Sequence, residues 1–173
     1  MAVIECDVPS SSVLDRNLIE HCYFRDSYRA PLTRPDLAMV DIFFAVFGPK
    51  PVWMKLLLIA RNWVAGCVGL EVPTVAEIMN PEVRNVYRAG EKIGPWPIFF
   101  VGENEIVAGR DNRHIDFRLS VLRVADGDAA AVVILTICTV HNLFGRIYLF
   151  FVVPFHRRGL KLLISNAVAA KRL

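Results

Sequence analysis

Three of the four histidines in this 173-residue chain stand beside carboxylates, arginines and amides within an apolar second half. One stretch is D-N-R-H-I-D-F-R, residues 111–118. The other is H-N-L-F-G-R-I-Y, residues 141–148, followed by P-F-H-R-R at 154–158. Polar groups are costly to bury unless paired, so such a collection needs either a ligand or a structural network to account for it. A carboxylate between an imidazole and a guanidinium can fix a histidine tautomer and raise its basicity. His114, Asp116 and His141 are therefore the candidate catalytic residues, as proton donors and acceptors. Asp111, Arg118, Arg146 and Tyr148 are the candidate ligand contacts, with arginine suited to a bidentate grip on a carboxylate or phosphate.

Each group also has a plainer account. Along an extended strand alternate side chains share a face, which puts His114, Asp116 and Arg118 together and Ile115, Phe117, Leu119 and Val121 opposite. A solvated cross-strand ion network would explain the polar face equally well. Asn142 suits a helix N-cap and needs no other role. Arg146, on an oily helix, calls for a carboxylate partner, for which Asp116 or Asp111 would serve. His156 precedes Arg157 and Arg158 and reads as a solvated surface residue. Phe43, Phe44, Phe47, Trp53, Trp63 and Trp96 read as core.

The elements that must hold these residues follow from pattern. Residues 1–21 read as an irregular lead-in and 22–173 as one domain. A strand over 22–31 is followed by a helix over 35–47, capped by Thr33 with Pro35 and Asp36 in its first turn. Gly48-Pro49-Lys50-Pro51 ends it. A second helix over 52–68 carries Trp53, Leu56, Leu57, Ala60 and Val64 at helical spacing. The segment 70–96 is less regular, with a short helix at 75–79, a strand at 86–88 and a turn forced by Gly94 to Pro97. Strands follow at 98–102, 105–109, 114–124 and 129–140, the last two joined by an Asp126-Gly127 turn. A helix over 143–171, bent near Pro154, closes the chain. This order predicts an α+β helix-grip domain. A curved antiparallel sheet wraps the final helix, two short helices follow the first strand, and a cavity lies between sheet and helix. A generic α+β sandwich is the alternative.

Composition narrows the function classes. The chain is 54% hydrophobic with formal net charge +3, and its mean hydropathy is +0.40. That much apolar surface goes into a cavity lining, a subunit interface or a membrane. A spanning helix needs about 20 mostly apolar residues. The window 129–155 is long enough, but Arg146 lies inside it, at a cost of about 2.5–3.5 kcal/mol on insertion scales. Its Val, Ile and Thr content suits a strand better. The start of the chain carries no secretory signal pattern. Cys6, Cys22, Cys67 and Cys138 have neither zinc-ligand nor disulfide-framework spacing, so a reducing cytoplasm is expected. The aromatics are not interleaved with a Lys/Arg stripe, which argues against a nucleic-acid partner. No phosphate loop, nucleophile elbow or zinc motif is present, and neither a metal nor a cofactor is expected.

Both polar motifs, with F-R-D-S-Y-R-A-P-L upstream and G-P-W-P-I-F-F-V between, resemble the bacterial domain-of-unknown-function family 2867. The resemblance covers nearly the whole chain from about Cys22. That family is similar to the helix-grip superfamily of START-like and Bet v 1-like (SRPBCC) proteins. The resemblance therefore implies a fold more than an activity. The expected function is binding of a hydrophobic or amphipathic small molecule in the sheet–helix cavity. An alternative is a cyclase, dehydratase or isomerase using a His/Asp pair there. A further alternative is a non-catalytic oligomerising or membrane-surface protein. The strand 130–140, apolar on both faces, suits a homodimer interface.

Overall fold

The computed structural model describes residues 3–67, 74–79, 84, 86–127 and 129–173. Seven strands form one curved antiparallel sheet in the order β1-β2-β7-β6-β5-β4-β3. They are β1 (Ile4–Glu5), β2 (Phe24–Leu32), β3 (Lys92–Ile93), β4 (Trp96–Val101), β5 (Glu105–Asp111), β6 (Ile115–Asp126) and β7 (Ala129–Val140). The helices are α1 (Arg16–His21), α2 (Met39–Phe47), α3 (Val52–Cys67), α4 (Val75–Met79) and α5 (Leu143–Ala169). This is the helix-grip arrangement, an α+β fold with the long C-terminal helix held by the sheet.

The centre of the sheet is the hairpin of β6 and β7, each 12 residues long. Asp126 pairs with Ala129 across its tip, and Gly127 takes φ 62°, which a glycine adopts without a Cβ clash. Eight consecutive residues of β7, Ala131–Cys138, are buried, so both sheet faces are covered there. On the concave face, Tyr28, Ala30, Leu119, Val121, Val132 and Ile134 pack under α2 and the second half of α5. Each fully buried aliphatic residue there contributes about 1.5–3 kcal/mol of transfer free energy.

The outer face is covered by the N-terminal segment, where the sequence suggests only irregular chain. β1 pairs with β2. Leu14 and Ile19 pack on Val107, Leu135 and Ile137. Glu105, 2% exposed, anchors this strap. Its carboxylate accepts from the Ser12 hydroxyl at 2.8 Å, the Val13 N–H at 2.7 Å and the Ser120 hydroxyl at 2.6 Å. Three donors offset the burial of one charge.

Several element boundaries depart from the sequence pattern. α2 begins at Met39, with Ala38 extended before it and no side-chain cap. Thr33 instead donates its hydroxyl to the Leu173 carbonyl, and the Leu37 carbonyl accepts from Arg123. Tertiary bonds thus hold 33–38 as a loop. Residues 86–88 form no strand; Tyr87 is buried there, its hydroxyl accepting from the Arg84 N–H at 2.8 Å. Position 68, the expected end of the second helix, and the Val64 side chain lie outside the described residues. Trp53 and Trp63, expected in the core, are 55% and 74% exposed, because α3 turns Met54 and Asn62 inward instead. Among the described residues no single helix is long and apolar enough to cross a membrane; α2 and α3 pass on composition only as a pair bent by 89°.

Candidate functional site

The first polar stretch and His141 meet on the outer face of the sheet. Asp111 pairs in register with Asp116 on β6, and Asp116 with Thr139 on β7. Arg118 grips Asp111 with both terminal nitrogens, Nη2 to Oδ2 at 2.9 Å, and its guanidinium stacks 3.7 Å from the Phe99 ring centre. His141 Nε2 lies 3.0 Å from Asp116 Oδ2, with both side chains partly exposed. Such a pair is worth less than about 1 kcal/mol in stability. Asp111, Asp116, Arg118 and His141 therefore form the cross-strand network, turned away from α5.

His114 does not join them. Asn112 Oδ1 accepts from the backbone N–H of His114 at 2.9 Å and of Ile115 at 3.0 Å. That Asx turn starts β6 at Ile115 and takes His114 off the alternating face. Its Nδ1 lies 3.1 Å from Asn142 Oδ1, and its ring is 4.7 Å from that of Phe144. Asn142 caps α5 as expected, accepting from the Gly145 N–H at 3.1 Å. Gly145 is required there, since a Cβ would sit 2.5 Å from the His114 carbonyl oxygen. Arg146 is exposed, 6.0 Å from the Tyr23 ring, and pairs with neither aspartate. With Val140, His141, Asn142 and Leu143 it lines a shallow depression of about 130 Å³.

The concave face holds a different polar group. Alternation along β2 places Phe24, Asp26 and Tyr28 beneath α5, with Asp26 in register with Thr136 of β7. The Asp26 side chain is fully buried. Neither carboxylate oxygen, nor the Tyr28 hydroxyl, has a partner at close hydrogen-bond geometry, and the polar contact between the two is weak enough to act on Tyr28 only after burial and charge. His156 reaches down from α5, its Nε2 3.1 Å from Thr136 Oγ1 and 3.5 Å from Asp26 Oδ2. The Phe24 ring meets it edge-on at 5.9 Å. Burial, then the charges of Asp26 and Glu5, push the Tyr28 phenol up to about 12. Cys138, next along the same face, is pushed to about 12, mainly by burial. His156 is thus an inward-facing residue, contrary to the surface position expected from its basic neighbours. Its place on the helix aligns it with Leu149, Leu160 and Leu163, all buried.

Two turns before His156 on α5, Tyr148 faces α3. Its hydroxyl accepts from Arg61, whose other terminal nitrogen donates to Asn62 Oδ1 at 2.8 Å. The guanidinium lies 5.2 Å from the Tyr148 ring centre. Burial, then the like charge of Arg110 on β5, lowers the Arg61 pKa from 12.5, while part of the side chain stays accessible. Phe117 and Tyr148 remain half-buried on this side, as do Trp96 and Phe44. Of these, Trp96 and Phe117 pack ring to ring at 6.4 Å.

A family model described as "Protein of unknown function (DUF2867)" matches residues 18–161. The chain belongs to the DUF2867 family. The match spans both polar motifs and every residue of the concave cluster. No curated protein and no solved structure matches the chain.

In this DUF2867 protein, then, the sequence-predicted residues divide among three places. Asp111, Asp116, Arg118 and His141 form the outer network. His114 and Arg146 mark the rim of the α5 start, and Tyr148 faces α3. The residues that pattern reading missed are Asp26, Thr136, His156 and Arg61. Signals for two were present. Asp26 interrupts the inward series Phe24, Tyr28, Ala30 and Leu32 with a charge. His156 falls on the inward phase of α5, seven residues after Leu149.

Proposed function

We propose that this protein binds an amphipathic small molecule in the space between the concave sheet face and the helices α3 and α5, as a cytoplasmic carrier. The observation that carries this reading is the Asp26 carboxylate, sealed from solvent beneath α5 and left without a hydrogen-bond donor at close geometry. A bare buried carboxylate is disfavoured by several kcal/mol, on the order of its effective desolvation cost. A ligand hydroxyl or amine would satisfy it, with His156 and Thr136 alongside. At the other end, Arg61 and Tyr148 would receive a ligand carboxylate or phosphate, which would also relieve the repulsion between Arg61 and Arg110. Tyr148 and His156 are eight residues apart on one helix, or ~12 Å at 1.5 Å rise per residue. The ligand class is therefore an apolar molecule of about that length, acidic at one end and bearing a hydrogen-bond donor at the other. Apolar recesses with a few convergent polar groups are the usual form of small-molecule sites.

The test is native mass spectrometry of the purified protein. A retained mass is expected, lost in His156→Ala and Arg61→Ala but kept in His141→Ala. Retention in all three variants would remove the concave site from consideration. A second reading, proton transfer in a cyclase-, dehydratase- or isomerase-type reaction, is favoured by the position of His156 Nε2 between Thr136 Oγ1 and Asp26 Oδ2. A histidine so placed can donate or accept a proton. Under that reading the retained mass changes on incubation, and His156→Ala stops the change.

A further inference from the structure

The helices α3 and α5 turn large apolar side chains outward. On α3 these are Trp53, Leu56, Leu57 and Trp63; on α5 they are Ile147, Phe150, Phe151 and Phe155. Trp63 and Phe150 are each 74% exposed. Arg61 meets Tyr148, and a Cβ on Gly159 would lie 3.7 Å from Met54 Cε. These contacts join the two helices at two points, in antiparallel sense. Met54 and Asn62 on α3, and Leu149 and Leu160 on α5, point inward. The exposed rows lie on the opposite sides of their helices, so both look away from the sheet. Single exposed apolar residues are ordinary, but two adjoining rows with five aromatics facing solvent are not.

Charge selects the partner. Neither helix contains an Asp or Glu, while α3 carries Lys55 and Arg61, and α5 carries Arg146, Arg157, Arg158 and Lys161. Arg61 donates to the Tyr148 hydroxyl and Lys161 pairs with Glu5 at 3.6 Å. Arg146, Arg157 and Arg158 are exposed and have no carboxylate partner among the described residues, Arg157 lying 5.3 Å from the Phe24 ring, whereas Lys55 donates to the Met79 carbonyl. Two copies joined face to face through this surface would set like charges together. An anionic bilayer surface matches both properties, because Trp and Phe settle at the headgroup level while Arg and Lys meet lipid phosphate. Loss of the Pro154 N–H leaves the Phe150 carbonyl without its helical donor on this same exposed side, where headgroups can reach it.

We propose that the outer faces of α3 and α5 form a docking surface for the anionic leaflet of a membrane, with both helices lying in the interfacial plane. The proposal stands apart from the ligand reading, which its failure would leave intact.

Vesicle flotation tests it, using phosphatidylcholine vesicles with and without phosphatidylglycerol. The protein should float with the anionic vesicles, leave the neutral ones, and be released by added salt. The fluorescence of exposed Trp53 and Trp63 should shift to the blue on binding. Arg157→Gln with Arg158→Gln should weaken partitioning about fivefold per removed cation. Phe150→Ser with Phe151→Ser should abolish it with the melting temperature unchanged, since both side chains are already in solvent. Equal binding to both vesicle types, or binding to neither, overturns the proposal. So does a dimer by light scattering that Phe150→Ser with Phe151→Ser converts to monomer, because the surface is then a self-interface.

Discussion

Replacing Asp26 with valine should make the ligand-free protein more stable while destroying its ability to hold a ligand. Asp26 occupies an inward position of β2 opposite Thr136, its side chain fully buried and its oxygens without donors at close geometry. His156 Nε2 lies 3.5 Å from the carboxylate, too far for a strong N–H···O bond, and is shared with Thr136 Oγ1 at 3.1 Å. The desolvation of the carboxylate is thus poorly offset inside the protein. Exchanging a poorly compensated buried charge for an apolar side chain of similar size stabilises by about 1–3 kcal/mol. Valine also suits a strand. At roughly 2–4 °C per kcal/mol for a chain of this length, the melting temperature should rise by about 2–12 °C. The assay is thermal unfolding of both proteins after delipidation, because bound ligand would stabilise the wild type alone by mass action. A fall of several degrees would refute the reasoning. It would mean that the carboxylate is held internally, by His156 and Tyr28, and that no ligand is needed to account for it.

Other perturbations test the frame around the site. Glu105→Ala strands the buried Ser120 hydroxyl and two part-buried donors and should cost about 1–3 kcal/mol, with residues 6–15 becoming sensitive to limited proteolysis. Gly145→Ala places a methyl group 2.5 Å from the His114 carbonyl oxygen and 2.9 Å from Val140 Cγ1; it should cost about 1–3 kcal/mol by forcing the start of α5 off the sheet. Tyr28 titrates at about 12 in the folded protein against 10 for a free phenol. The unfolded chain therefore releases this proton first, and the contribution is fully present below pH 10 and lost as pH rises towards 12. Tyr28→Phe should remove that part of the alkaline decline, read as a smaller drop in denaturant midpoint over the same interval.

The order of elements was legible because each carries a local signal. The Asp126-Gly127 turn, the apolar β7 strand and the Asn142 cap need no tertiary information, and each stands where the pattern puts it. The placement of the site was not legible in the same way. Alternation fixes which residues share a face of β6, but only the docking of α5 and of the N-terminal strap decides which face is which. Asp116 and Arg118 consequently lie outside, whereas Asp26, in a motif that looked merely strand-forming, lies under the helix. His114 left its predicted face because Asn112 caps the strand start, a side-chain contact two residues away that overrides period-two geometry. His156 was hidden by Arg157 and Arg158: the local charge suggested solvent, and the helical phase, set by Leu149 and Leu160, prevailed. Trp53 and Trp63 failed for the opposite reason, since an apolar stripe at helical spacing does not reveal whether anything covers it.

The central claim is that the buried Asp26–His156 cluster beneath α5 holds a ligand, and not the outer network around Asp116. Native mass spectrometry of wild type, Asp26→Val and His141→Ala, purified in parallel, tests it most directly. The account predicts a bound amphipathic mass in wild type and His141→Ala and none in Asp26→Val. A ligand-free wild type, or a mass lost from His141→Ala and kept by Asp26→Val, would contradict it.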